Sequence, residues 1–438
     1  MKMSFVSRSL FVVLCSPIVA AEFVATNTVV ISPQFIDALA EEARTNHPAL
    51  RAADARADAA LWNAAAVRSW DDPTAKFGVM GAEREKRADD GDLVYGVDQK
   101  LPLFGKPRAA RAVAQAEATV QRREADFRAL QLRRDVSLQL FKEALAERFV
   151  ALGRDDLATL ETLVATTEEK FRNGVATQFE VLQTQNERAR RTTRLRSEES
   201  LLRAERASLN RLLNRPQDFA WPALLLPAVV SNVPPLALLI EHATQMAPQL
   251  DVMRASLRQA ESSVALARRQ RLPDFSVGLE GRQYADTGEF REGLVVFGLS
   301  IPWGNRARYA ADIKRELRKA DAARLDLADM QLAMRDDVTR HVTLIENTRR
   351  EAELYRGDIV PRSEQAVTVT RESWLNGRGT LRDVLDARRA LLDAQVAEAR
   401  ALAEHHSFIA ELSLHCGINV FNDFSDGANS AASVKGKP

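Results

Sequence analysis

Residues 98–110 read DQKLPLFGKPRAA, and residues 298–310 read GLSIPWGNRARYA. Each piece leaves an apolar-alternating segment, passes Leu-Pro or Ile-Pro and an aromatic, and enters an Ala- and Arg-rich stretch of helical composition. A chain that builds this strand-to-helix corner twice is a candidate for internal duplication. The rest of the sequence bears that out. At an offset of 200, Pro48 meets Pro248, Leu50 meets Leu250, Pro73 meets Pro273, Gly81 meets Gly281, Pro102 meets Pro302 and Arg108 meets Arg308. Proline makes up only 16 of 438 residues, so repeated coincidence at one offset is not chance. Further on, FRNGVATQFEVL (171–182) lies over WLNGRGTLRDVL (374–385), at an offset of 203. A three-residue insertion between the anchors accounts for the shift.

Each half then has the same parts in the same order. A first helix is expected over about 34–69 and again over about 236–270. Pro73 and Pro273 end these approaches. Hairpins follow at 74–101 and 274–301, built from TAKFGVMGAE, LVYGVDQKL, DFSVGLEGRQ and GLVVFGLSI. In the third segment Phe275, Val277 and Leu279 fall on one face, and Ser276, Gly278 and Glu280 on the other. Segments of about 9–10 residues have the length of a tilted membrane β-strand. REKRADDG (84–91) and YADTGEFR (284–291) are polar loops. Long helices are expected at 106–172 and 307–376, the first on the order of 100 Å. Pro107 is tolerable in a first turn, Gly153 is the one glycine in the first helix, and Gly357 with Pro361 should kink the second. Asn-Gly supplies a tight turn in each half. Return helices are expected at 178–213 and 381–415. The boundaries are therefore a first repeat at 22–220, a Pro-rich linker at 221–235, a second repeat at 236–420 and a disordered tail at 421–438.

Composition agrees. The chain is 46% hydrophobic but only 6% aromatic, and 28% charged, as suits long helices or coiled coils. A net charge of +1 with both signs interspersed argues against nucleic acid as a partner. MKMSFVSRSLFVVLCSPIVAAEF has a positive start, a short apolar run and small residues before Glu22, so residues 1–21 read as a signal peptide. Cys15 is a poor lipidation site because Leu14 precedes it. The most apolar later stretch, WPALLLPAVVSNVPPLALLI (221–240), is broken by four prolines and reads as linker. Two short strands do not form a stable hairpin alone, and four cannot close a conducting barrel. Other copies of the chain must complete them.

The duplicated helix–hairpin–long helix–return plan, with paired Asn-Gly-x-x-Thr-x-x-x-Val-Leu turns, resembles the TolC family of outer-membrane efflux proteins over nearly the whole mature length. DQKLPLFGKPRAARAVAQAEA is similar to the heavy-metal, CzcC-like branch. The resemblance implies a mixed α/β membrane fold: a homotrimer whose four strands per chain share a twelve-strand outer-membrane β-barrel, above an α-helical tunnel in the periplasm. Pro102, Phe104, Pro302 and Trp303 would sit at the lipid interface. The Asn-Gly turns would be tunnel tips that meet a periplasmic adaptor protein, which places that role on Asn173, Gly174, Val175, Thr177, Asn376, Gly377, Arg378 and Thr380. Glu180, Asp383 and Asp386 would form a negative constriction that favours cations; the plainer reading makes them solvated helix charges. An inner-membrane RND transporter would supply the energy. Gly379 stands where the best-studied members carry a latching arginine.

No metal site is read at His405, His406, His415 and Cys416, because the spacing puts His405 and His406 on different helix faces. The basic runs RARRTTRLR (188–196) and RRQR (268–271) read as solvated faces, the second near the bilayer edge. No phosphate loop, nucleophile elbow or paired-ligand motif is present, so neither an enzyme nor a cofactor is expected. Two rivals remain: the same duct serving drug efflux or type I protein secretion, and a periplasmic coiled-coil scaffold without a pore.

Overall fold

The computed structural model describes residues 28–67, 70–80, 92–231, 233–285 and 287–417. The expected signal peptide, the 84–91 loop and the 421–438 tail lie outside these residues. In chain order the regular elements are β1 (Val29–Val30), α1 (Pro33–Asn46), α2 (Pro48–Ala66), β2 (Thr74–Met80), β3 (Asp92–Leu101), α3 (Lys106–Arg172) and α4 (Gln178–Leu212). After β4 (Leu224–Leu225) come α5 (Leu236–Met246), α6 (Pro248–Gln270), β5 (Phe275–Tyr284), β6 (Phe290–Leu299), α7 (Arg306–Leu354), α8 (Val360–Leu375) and α9 (Leu381–Cys416).

Each expected first helix is two helices. Pro48 has no N–H to donate and pushes the residue before it out of the helical region. His47 accordingly sits at φ −71°, ψ 123°, and Ala247 before Pro248 at φ −57°, ψ 127°. The break is stabilised locally: the His47 N–H bonds Ala43 O at 2.8 Å, and its Nδ1 accepts the Ala49 N–H at 3.2 Å. The second long helix is also divided. Between α7 and α8 lies one π-helical turn, Tyr355–Ile359. Pro361 has no N–H to give Gly357 O, and the wider turn absorbs the missing bond with Val360 N–H reaching Tyr355 O.

The sheet order is β2-β3-β5-β6, antiparallel throughout, with β2 and β6 as open edges. Because side chains alternate, one face carries Phe77, Val79, Tyr95, Val97, Val277, Leu279, Val295 and Phe297. All but the half-buried Val277 are exposed, Phe77 at 85% and Phe297 at 78%. The opposite face carries Lys76, Asp98, Glu280, Arg282 and Glu292, together with Val94, Leu294 and Val296. A sheet apolar on its outside and largely polar within is the pattern of a membrane barrel wall. No described helix is long and apolar enough to cross a membrane.

Among the described residues the helices pack around four cores. One joins α1, α3, α4 and the β1–β4 pair through Ile36, Val136, Leu140, Phe141, Leu209 and Leu224. Its counterpart in the second half joins α5, α7 and α9 through Leu239, Met334, Val338, Ile345, Ile409 and Leu412. A smaller cluster of α3 and α4 holds Val150 and Leu195. The fourth, Leu160, Leu163, Trp374, Leu381, Val384 and Leu385, ties the end of α3 to the second Asn-Gly turn.

Candidate functional site

Both helical tips are built alike. At the first, Gly174 takes φ +75°, a left-handed value that an L side chain rarely adopts. Val175 N–H then reaches back to Lys170 O at 2.8 Å and Gly174 N–H to Phe171 O at 3.0 Å, closing the α3 carbonyls in a Schellman-type cap. At the second, Gly377 takes φ +72°, Gly377 N–H bonds Trp374 O at 3.1 Å and Arg378 N–H bonds Ser373 O at 2.8 Å. Asn173 and Asn376 are the C-cap residues.

Thr177 and Thr380 begin the return helices with capping boxes. Glu180 Oε2 accepts the Thr177 N–H at 2.7 Å and its hydroxyl at 3.1 Å; the Glu180 N–H donates to Thr177 Oγ1 at 3.3 Å. Asp383 Oδ2 accepts the Thr380 N–H at 3.1 Å and its hydroxyl at 2.7 Å. The Thr380 hydroxyl and then its N–H hold the Asp383 carboxyl below the usual range. Each acid therefore has a structural task at its helix N-terminus. The Thr-x-x-Glu and Thr-x-x-Asp spacing states this task in the sequence itself. Asp386 is exposed, 3.3 Å from Arg389 Nη1 and 3.6 Å from Arg382 Nε. Arg389 also pairs with Glu187 on α4.

Two residues absent from the sequence reading join the tips. Lys170, in the last turn of α3, donates to Trp374 O at 2.9 Å and Leu375 O at 3.2 Å, and its ammonium lies 4.3 Å from the Trp374 ring centroid. It thus serves the carboxyl end of α8. The partners are some two hundred residues apart, so nothing local in the sequence pairs Lys170 with Trp374. The first tip also exposes Phe171, Val175, Phe179 and Leu182, with Phe179 at 73%.

The two corners are less alike than their sequences. At the first, Phe104 and Gly105 both take left-handed φ, +60° and +68°, before α3 starts. Arg269 Nη1 donates to Phe104 O at 2.9 Å, which commits part of the 268–271 basic run to the corner. Lys106 Nζ bonds Asp274 Oδ1 at 2.6 Å. At the second, Pro302 is buried within a short 3-10 turn, Pro302–Asn305, and the chain enters α7 from Asn305 at φ −110°. Phe104 and Trp303 are both exposed, at 43% and 61%.

His405 and His406 brace the linker against α9. His405 Nε2 accepts the Val230 N–H at 3.1 Å, so its Nδ1 donates to Ile345 O, also 3.1 Å away. His406 Nε2 lies 3.2 Å from Pro227 O. Among the described residues no His, Cys, Asp and Glu group is arranged to hold a metal ion.

An antiparallel sheet with a lipid-type face, carried on helices as long as the 67 residues of α3, defines an outer-membrane channel subunit with a helical tunnel. The chain belongs to the outer membrane efflux protein family, whose profile matches residues 39–215 and 239–415, the second segment starting and ending 200 residues after the first. Its place is the Gram-negative outer membrane, with the tunnel extending into the periplasm. The cobalt-zinc-cadmium resistance protein CzcC of Cupriavidus metallidurans is 26% identical over 306 residues, 68% of this chain and 70% of that one. The pyoverdine export outer membrane protein OpmQ of Pseudomonas putida is 23% identical over 84% of this chain and 82% of that one. Among solved structures, VceC of Vibrio cholerae superposes with a TM-score of 0.74 at 19% identity, covering 88% of this chain and 96% of that one. CusC gives 0.76 at 14% identity over 91% and 96%. These structures share the fold.

Proposed function

We propose that this efflux channel is the exit duct of a three-part pump and that its cargo is heavy-metal cations. The observation that carries the cargo is the likeness to a cobalt-zinc-cadmium resistance protein over two thirds of both chains. Three copies close the β2 and β6 edges into one barrel and line the tunnel below it. The tips meet a periplasmic adaptor: Asn173, Gly174, Val175, Thr177, Asn376, Gly377, Arg378 and Thr380 form the contact, and Phe171 and Phe179 add exposed apolar area beside it. An RND transporter of the inner membrane drives transport. Cations pass Glu180, Asp383 and Asp386 at the constriction. Pro102, Phe104, Pro302 and Trp303 stand at the lipid interface, where exposed aromatic rings are favoured.

The test is growth of cells lacking the chain on cobalt, zinc, cadmium, nickel, copper, silver and several lipophilic drugs. Sensitivity confined to particular metals is the expected result. Sensitivity to drugs alone would overturn the metal reading. A second reading, export of small organic molecules, is favoured by the likeness to a pyoverdine export protein over 84% of this chain, and a strain deficient only in siderophore release would support it.

A further inference from the structure

One lysine holds two carboxylates on the polar face of the sheet. Lys76 of β2, Gly96 of β3 and Glu280 of β5 stand in one row across three strands; Thr74, Asp98 and Gly278 form the next row toward the helices. Lys76 Nζ pairs with Asp98 Oδ2 and lies 3.8 Å from Glu280 Oε1. Glycine makes the arrangement possible. A Cβ on Gly96 would stand 2.9 Å from Glu280 Cγ, and one on Gly278 would run into the Asp98 carboxylate. Both acids therefore lie along the sheet, over a neighbour that has no side chain, and converge on the ammonium. Their side chains are only 22% and 24% exposed, against 53% for Lys76.

Two carboxylates that flank one ammonium need only side-chain rotations to close on a single metal ion in its place. Divalent cations take such oxygens at about 2.0–2.6 Å. On the wall of a cation conduit that pair would be a trap, because transit requires binding weak enough to release. We propose that Lys76 is a tethered counter-cation: it occupies the Asp98–Glu280 carboxylate pair and keeps the barrel wall from holding divalent cations in transit. The other acid on this face whose side chain is described, Glu292, is closed in the same way by Arg282 at 2.9 Å. The inference rests on the duct reading, with the polar face toward the lumen, and is independent of which cargo the pump delivers.

The purified full-length channel in planar bilayers, with calcium or cobalt(II) chloride added to the extracellular side, tests it. Wild-type conductance should change little over the millimolar range. Lys76→Met should be blocked at concentrations at least about tenfold lower than wild type, since removing the ammonium leaves two uncompensated oxygen ligands. Adding Asp98→Asn and Glu280→Gln to Lys76→Met should abolish the extra block. Lys76→Cys supplies a second route that depends less on tolerance of Met. It should gain the block and lose it again on treatment with 2-aminoethyl methanethiosulfonate, whose attachment through a disulfide, with release of methanesulfinate, restores a tethered ammonium. Cys416 is buried and does not compete. Conducting Lys76→Met and Lys76→Cys channels with wild-type sensitivity would overturn this inference alone. A wild-type protein that forms no channel would overturn the duct reading and this inference with it.

Discussion

His406 is fully buried in α9, its ring 5.4 Å from Phe141 and 5.2 Å from His405. Burial first, and then the neighbouring His405, push its pKa from 6.5 down to about 4. Above pH 6.5 the ring is neutral in folded and unfolded chains alike. Between about 6.5 and 4 the unfolded chain binds a proton that the folded chain refuses, so stability falls as pH falls, by roughly 3 kcal/mol across the window. Glu143 acts with the opposite sign. Burial lifts its pKa from 4.5 to about 7 despite its bond to Arg206, so its contribution falls as pH rises through that range. Replacing His406 isolates its share. The apparent thermal midpoint of detergent-solubilised His406→Gln should drop less than wild type between pH 6.5 and 4.5; equal slopes would show that the ring does not titrate this way. At this scale the sequence was legible only in part. Adjacent helical residues point in different directions, which argues against a shared metal. That each ring meets a backbone group of the linker depends on contacts 175 and 179 residues away.

Among the elements, α3 and the helix pair α7–α8 are equivalent parts of the duplication, but α3 is unbroken and its counterpart is divided. Gly153 is the one glycine inside α3. The Arg191 guanidinium of α4 lies over it, donating Nε to Gly153 O at 3.3 Å, while Arg191 also pairs with Glu198 at 2.7 Å and Asp156 at 3.4 Å. Arg388 of α9 closes the group on Asp156. A Cβ at Gly153 would collide with Arg191 and stand 2.7 Å from Glu198 Oε2. Alanine gains about 1 kcal/mol of helix propensity over glycine, but it displaces a buried guanidinium from its carboxylates, and a buried pair deprived of one partner altogether loses about 3–5 kcal/mol. Gly153→Ala should therefore lower the thermal midpoint. Gly357 lies at nearly the corresponding place, in the π turn, with nothing within 4 Å of an added Cβ. Gly357→Ala should be neutral or slightly stabilising, and a loss as large as that of Gly153→Ala would refute the steric account. Prolines, turns and strand alternation were readable because they act locally. The same local logic, carried further, would have split the approach helices at Pro48 and Pro248. The role of Gly153 was not readable in this way, because its partner, Arg191, comes from another helix.

At the scale of the whole molecule, the proposed constriction separates charge from structure. Asp383 is committed to the capping box of α9, where its carboxylate accepts the Thr380 N–H and hydroxyl. Asp386 makes only exposed pairs, with Arg382 and Arg389, which are worth about 0–1 kcal/mol. Asp386→Asn should thus remove one negative charge per copy at little structural cost, and move the reversal potential of the reconstituted channel in a potassium chloride gradient toward zero. Asp383→Asn should lose selectivity and tip stability together, visible as faster proteolysis at the Asn376-Gly377 turn. Arg389→Ala makes the opposing prediction. It releases Asp386 and Glu187 from a shared counter-charge, so the channel should become more cation-selective. The two shifts must have opposite signs if these side chains face the ion path, because one removes an acid and the other unmasks two. Shifts of the same sign, or none in either variant, would mean that the acids past the Asn-Gly turns are solvated helix charges and that selection is made upstream of the duct.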